Sequence, residues 1–278
     1  MATVTRPTRE IPLSEYPTGD GKPMAETPFR GEIMFGLRQI LQDHFAEDPM
    51  VYVSGNLMMY YVKNNKRRHT SPDLFFVRGI PNTDRKCYFV WEEGKGPDVV
   101  FEISSKSTIK TDTGTKRLLY QNILRVPEYF LFDPYEEYLS PSLQGYRLLN
   151  GVYVPIQPDH GWLFSQELGL RMGRHGLMLR FYDPATGQPL LSRTERLEDE
   201  RHLRVRAQTD LYIAGMDARR AEAEKQRVEA EKQQVEAENR RLAESLSQAE
   251  EARVAAEREQ ERLRREVEEL RRQSKKRS

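Results

Sequence analysis

The spacing of apolar and polar positions divides this chain into three stretches of different character. From Thr27, the segment TPFRGEIMFGLRQILQDHF sets Ile33, Leu37, Ile40, Leu41 and Phe45 on one face of a 3.6-residue period. Thr27 is placed to cap it and Pro28 fits its first turn, so a helix is predicted. VYVSGNLMMYYV predicts a strand, or a bent pair with Gly55 and Asn56 at the bend. KNNKRRH is a basic turn, and SPDLFFVRGI carries a short strand after Asp73. KCYFVWEEG and PDVVFEIS predict two more strands, separated by a Gly/Pro-rich connection. Asp112 through Leu124 is predicted helical, with Leu118, Leu119 and Ile123 on its apolar side. EYFLFDP is a strand that stops at Asp133-Pro134, and LQGYRLL, GVYVPIQ and LMLRFYDPATG predict hairpin strands between turns.

The order helix, strands, helix, strand implies an α/β (α+β) domain with a mixed central sheet flanked by helices, not a doubly wound one. Residues 28–192 hold both tryptophans and every predicted strand, enough for one globular core. Residues 1–27 are rich in Pro, Thr, Gly and charge without periodicity, and are expected to be a loosely ordered arm.

From Arg193 to Ser278 the character changes. Of these 86 residues 22 are Lys or Arg and 21 are Asp or Glu, and Tyr212 is the sole aromatic. One heptad column, Val228, Val235, Leu242, Ala249, Ala256, Leu263 and Leu270, is apolar throughout. The second column a coiled coil needs reads Lys232, Asn239, Leu246, Arg253, Gln260 and Val267 and is mostly polar. Two readings stand: a weak coiled coil joining a homodimer or a partner protein, or a solvated helix held by i,i+4 ion pairs. Either way the tail carries no catalytic chemistry.

Lys plus Arg number 44 and Asp plus Glu 43, so net charge argues for neither nucleic acid nor membrane. No apolar run approaches the roughly 18 residues of a membrane span, and the N-terminal stretch has no signal-peptide core. The single cysteine, Cys87, rules out an internal disulfide framework and is compatible with a reducing cytoplasm. A soluble cytoplasmic protein is the expectation.

The candidate chemistry lies in the acids. Glu102 stands inside VVFEI, where an unpaired carboxylate is expensive, so a lysine or a metal ion must compensate it. Asp73 stands just before the neighbouring apolar strand, as a turn-and-cap residue or as a second ligand. Two carboxylates on adjacent strands could converge on a hard cation such as Mg²⁺, and a paired-acid site suits phosphodiester hydrolysis. Asp112, Lys116 and Tyr120 follow at four-residue steps on one helix face. They are either a helical ion pair beside a packed tyrosine, or they aim an ammonium at the acids. Lys63, Lys66, Arg67, Arg68 and His69 in the basic turn are candidates for phosphate contact or simply a solvated hairpin.

Taken together, PD before an apolar strand, PDVVFEISS, the ST pair, D-x-G-x-K, a tyrosine and VPEYFLFDP resemble the Uma2 family. These are restriction-endonuclease-like proteins of the PD-(D/E)XK nuclease superfamily, and the resemblance covers roughly residues 25–192. It implies a Mg²⁺- or Mn²⁺-dependent endonuclease acting on DNA, with Asp73 and Glu102 as metal-binding acids. Ser104 occupies the position where the superfamily's strand lysine is expected, and the resemblance implies that Lys116 on the helix substitutes for it. Lys106 is the nearest competitor. Tyr120 matches a recurrent tyrosine, and Glu32 on the first helix is the candidate for an additional acid. Two rival readings remain: a catalytically silent domain that binds nucleic acid or a partner, and a structural protein in which the tail is the working part.

Overall fold

The computed structural model describes residues 10–19 and 27–276. The first helix, α1 (Pro28–His44), forms as the period predicts, with Thr27 Oγ1 accepting the backbone N–H of Arg30 and Pro28 in its first turn. Ile33, Met34, Leu37 and Leu41 form its buried face, and Ile40 and Phe45 pack beside them.

The main sheet is mixed and has six strands: β1 (Val51–Ser54), β4 (Leu74–Arg78), β6 (Val99–Ile103), β7 (Glu128–Phe132), β8 (Leu143–Leu149) and β9 (Val152–Pro155). Their spatial order is β1-β4-β6-β7-β8-β9. Only the β6–β7 pair is parallel, and the crossover that joins it carries a π-helical turn (Thr111–Lys116) running into α3 (Arg117–Asn122). A parallel pair requires such a crossover, and here it lays a helix on one sheet face.

Alternation along β6 distributes its residues between two cores. Val99, Phe101 and Ile103 pack with α1 and with a three-stranded sheet of β10 (Leu163–Ser165), β11 (Leu170–His175) and β12 (Met178–Tyr182). Val100 packs on the other face among Tyr120, Tyr129 and Leu131. Glu102 shares the parity of Val100, so it faces the crossover helix.

β2 (Met59–Tyr60), β3 (His69–Thr70) and β5 (Tyr88–Phe89) form a small third sheet. VYVSGNLMMYYV is therefore a bent pair whose halves join different sheets, with Asn56 at φ 53° in the bend. Contrary to expectation, KCYFVWEEG is strand only at Tyr88 and Phe89. Val90–Glu93 winds into one helical turn, α2, closed by Gly94 at φ 76°, a left-handed conformation that suits glycine.

The N-terminal arm, expected to be loosely ordered, is docked along its described residues 10–19. A 3₁₀ turn (Leu13–Glu15) leads to Tyr16, which is buried against Tyr60 and Phe89, and Tyr60 donates its hydroxyl to the Pro17 carbonyl. Residues 1–9 and 20–26 of that arm lie outside the described residues.

The chain divides into two compact units, residues 1–199 and 200–278. The second is the continuation of α4 (Arg193–Lys276), helical as the heptads predict and exposed on all sides through its described side chains. Both heptad columns are exposed, Val228 and Leu242 by more than half. No described helix is long and apolar enough to cross a membrane.

Candidate active site

Leu74 pairs with Phe101 across the antiparallel β4–β6 ladder, and one further step of this register sets Asp73 opposite Glu102. The bend before β2 braces that end of the strand. Asn56 N–H donates to the Pro72 carbonyl, and a Cβ on Gly55 would come within 2.2 Å of the Asp73 carbonyl oxygen. Glycine is required there because the two backbones touch, a constraint that the turn pattern of Gly55-Asn56 does not by itself reveal.

Asp73 Oδ2 accepts two hydrogen bonds of 2.7 Å, from the Ile103 backbone N–H and from Arg30 Nη2. Glu102 is fully buried; its Oε2 accepts from Lys116 Nζ at 2.7 Å and its Oε1 from the Tyr120 hydroxyl at 2.7 Å. Thr70 Oγ1 lies 3.2 Å from that hydroxyl and links the small sheet to the site. The structure thus brings Lys116 and Tyr120 to the acid, whereas Lys106 is exposed.

The π turn explains how one helix face delivers three polar side chains. Each four-residue step in an α-helix adds about 40° of drift around the axis. A wider π turn takes drift back, so Asp112, Lys116 and Tyr120 all project toward the sheet. The predicted apolar side of this helix is corrected accordingly: Leu118 and Ile123 are 57% and 59% exposed, and only Leu119 is partly buried. The face they were expected to fill is taken by the polar trio and by Leu124.

Asp112 is buried as well. Its Oδ2 lies 3.4 Å from Ser104 Oγ and its Oδ1 lies 3.5 Å from Lys116 Nζ, with no hydrogen-bond partner. Ser104, which follows β6 at the position where a strand lysine was expected, thus reaches the π turn that ends in Lys116.

Glu32, the candidate additional acid, is exposed. α1 sends Arg30 instead, because Arg30 continues the stripe of Ile33, Leu37 and Leu41 while Glu32 falls between turns. Sequence reasoning missed Arg30; its i+3 and i+7 relation to that apolar stripe was the available signal.

Charge is crowded here. Burial raises the Glu102 carboxyl to about 8; Lys116 pulls it down, and Asp73 and Asp112 push it further up. Asp112 is likewise raised, first by burial. Burial pulls Lys116 down, but Glu102, Asp73 and Asp112 outweigh it and hold the ammonium above its usual range. The Tyr120 phenol is raised by burial and by Glu102, so it stays a hydrogen-bond donor.

The basic turn lies elsewhere in the contact network. Lys63 Nζ pairs with Glu10 at 2.7 Å and Lys66 Nζ with Glu15 at 3.3 Å, while Arg67 and Arg68 are exposed. Among the described residues, none of the four forms an ion pair with Asp73 or Glu102.

The donors at the site are oxygens, carboxylates outnumber cations, and Asp73 Oδ1 and Asp112 Oδ1 accept no hydrogen bond from the described residues. This chemistry fits a hard divalent cation. Among the described residues no three acidic, histidine or cysteine side chains converge as a cage.

Residues 6–179, more than half of the chain, match the family model described as "Uma2: Putative restriction endonuclease". The chain belongs to the Uma2 family, a nuclease-like group. A solved structure, described as a putative nuclease belonging to DUF820 from Anabaena variabilis, is similar at 15% identity with a TM-score of 0.38, covering 53% of this chain and 76% of that one. No curated protein matches the sequence.

Proposed function

We propose that the protein is a divalent-cation-dependent endonuclease that hydrolyses DNA phosphodiester bonds at Asp73, Glu102 and Lys116. The observation that carries this reading is the fully buried Glu102, bonded at once by Lys116 and Tyr120 and set opposite Asp73 in the strand register. Such a carboxylate is costly to bury, and an ion pair alone seldom adds net stability. Strongly shifted groups of this kind gather at functional sites.

Asp73 and Glu102 would hold Mg²⁺ or Mn²⁺. When bound, such an ion supplies an activated water and neutralises charge on a phosphoryl group. Asp73 is oriented by the Ile103 N–H and by Arg30, which both bond Oδ2. Lys116 holds its proton throughout and offsets negative charge that develops on the phosphate oxygens. Tyr120 keeps Glu102 in one rotamer by bonding Oε1.

The experiment is cleavage of plasmid and branched DNA with Mg²⁺, with Mn²⁺ and with EDTA. Cleavage that requires the cation supports the reading; cleavage that persists in EDTA removes it.

A further inference from the structure

Asp112 is an acid of the cluster that the proposed reaction leaves without a task. Its backbone is fixed on both sides: the N–H donates to the Thr108 carbonyl at 2.8 Å, and the carbonyl accepts from the Tyr129 hydroxyl at 2.9 Å. The side chain is fully buried, yet Oδ1 has no hydrogen-bond partner among the described residues. A buried carboxylate oxygen of that kind is costly, which points to a donor that reaches it in another state of the site.

Lys116 is within reach. Its Nζ lies 2.7 Å from Glu102 Oε2 and 3.5 Å from Asp112 Oδ1. A charge-assisted hydrogen bond is about 2.7–2.9 Å long, so a movement of under about 1 Å exchanges one acid for the other. The Lys116 side chain is 20% exposed and has a flexible four-carbon stem, which permits that movement.

A cation supplies the cause. Both Glu102 oxygens already accept hydrogen bonds, Oε1 from Tyr120 and Oε2 from Lys116. Tyr120 is fully buried and its hydroxyl also meets Thr70, so it stays in place. A divalent ion binds the ionised carboxylate and drives off any proton that Glu102 holds, and it repels an ammonium on the same oxygen. Of the two donors, Lys116 is the one free to yield. Among the described residues Asp112 does not join Asp73 and Glu102 in a group of three that could cage the ion, so its open oxygen is left for the lysine.

We propose that Asp112 is a positioning residue for Lys116: when a divalent cation takes Glu102 Oε2, the ammonium passes to Asp112 Oδ1 and is held there beside the site. The inference rests on the nuclease reading above and deepens it.

The test is a double-mutant cycle in Mn²⁺ affinity, measured by calorimetry on the full chain for the wild type, Asp112→Asn, Lys116→Ala and the double variant. Asp112→Asn keeps the shape of the side chain and removes the charge that holds the ammonium. With Lys116 present it is expected to weaken Mn²⁺ binding on the order of tenfold, because the displaced ammonium has no charged acceptor. In the Lys116→Ala protein the same substitution is expected to change the affinity by about threefold or less. Weakening as large or larger in the Lys116→Ala protein would show that Asp112 acts on the ion itself, and overturns the proposal. So does an Asp112→Asn protein that binds Mn²⁺ as tightly as the wild type. If Asp112→Asn does not fold, Asp112→Ala takes its place in the same cycle, since an apolar residue leaves no orphaned oxygen in the interior. A wild type that binds no Mn²⁺ overturns the metal-site reading and this proposal with it. A wild type that binds Mn²⁺ and cuts no DNA overturns the nuclease reading alone, and the cycle still decides the role of Asp112.

Discussion

The Tyr120 hydroxyl donates a 2.7 Å hydrogen bond to Glu102 Oε1 across 18 residues of chain, and both side chains are fully buried. That bond ties the crossover helix to the strand it leaves behind. Tyr120→Phe leaves a buried carboxylate oxygen with one donor fewer, and we expect a stability loss of about 1–3 kcal/mol in urea unfolding. An unchanged midpoint would mean that Glu102 finds another donor.

Lys116 and Lys106 separate cleanly by position. Lys116→Ala is expected to lower the cleavage rate roughly 10²-fold or more without weakening Mn²⁺ binding, the scale for a positioned catalytic group. Lys106 is exposed, and Lys106→Ala should cleave near the wild-type rate. The reverse pattern would return the catalytic lysine to the loop.

Glu102 also sets a pH dependence. Its carboxyl is raised from 4.5 to about 8, so the folded protein holds a proton that the unfolded chain has released. Stability from this group is therefore present below about pH 4.5 and is lost as pH rises toward 8 in cation-free buffer. Glu102→Gln should flatten that slope in thermal unfolding followed from pH 5 to 8.5. A wild-type slope of opposite sign would show that Lys116 keeps Glu102 ionised.

The tail is expected to be separable from the body. Its first turn is tied down, because Arg193 and Arg196 both bond Asp43 and Glu195 bonds Arg180. A chain ending at Asp199 keeps these contacts and should unfold as cooperatively as the full chain. Only one heptad column is consistently apolar, so sedimentation should show weak association at most. A tight dimer lost on truncation would make the tail an oligomeriser.

Much of this site can be read in the sequence because its residues lie in, or next to, well-patterned elements. VVFEI announces Glu102 by a charge among β-branched neighbours, and PD announces Asp73 at the start of an apolar run. Four-residue steps relate Lys116 to Tyr120 whatever the exact helix type. Other features depend on tertiary context. Arg30 becomes part of the site only because α1 packs across the end of β4, and Glu32 fails for the same reason. The exposure of Leu118 and Ile123 follows from a π turn that apolar periodicity does not encode. β10 and β11 went unpredicted because their apolar residues are few and separated by glycines, with Gly169 and Gly176 at φ 69° and 62°. The docking of the arm rests on Tyr16 alone among aromatics, too little to register as a pattern.

The central claim is that Asp73 and Glu102 share one divalent cation. Its most direct test is a Mn²⁺ titration, followed by electron paramagnetic resonance, of the wild type, Asp73→Asn and Glu102→Gln. The account predicts one tightly bound ion per chain in the wild type and its loss in each single variant. Equal Mn²⁺ binding by all three proteins, or none by the wild type, would contradict it.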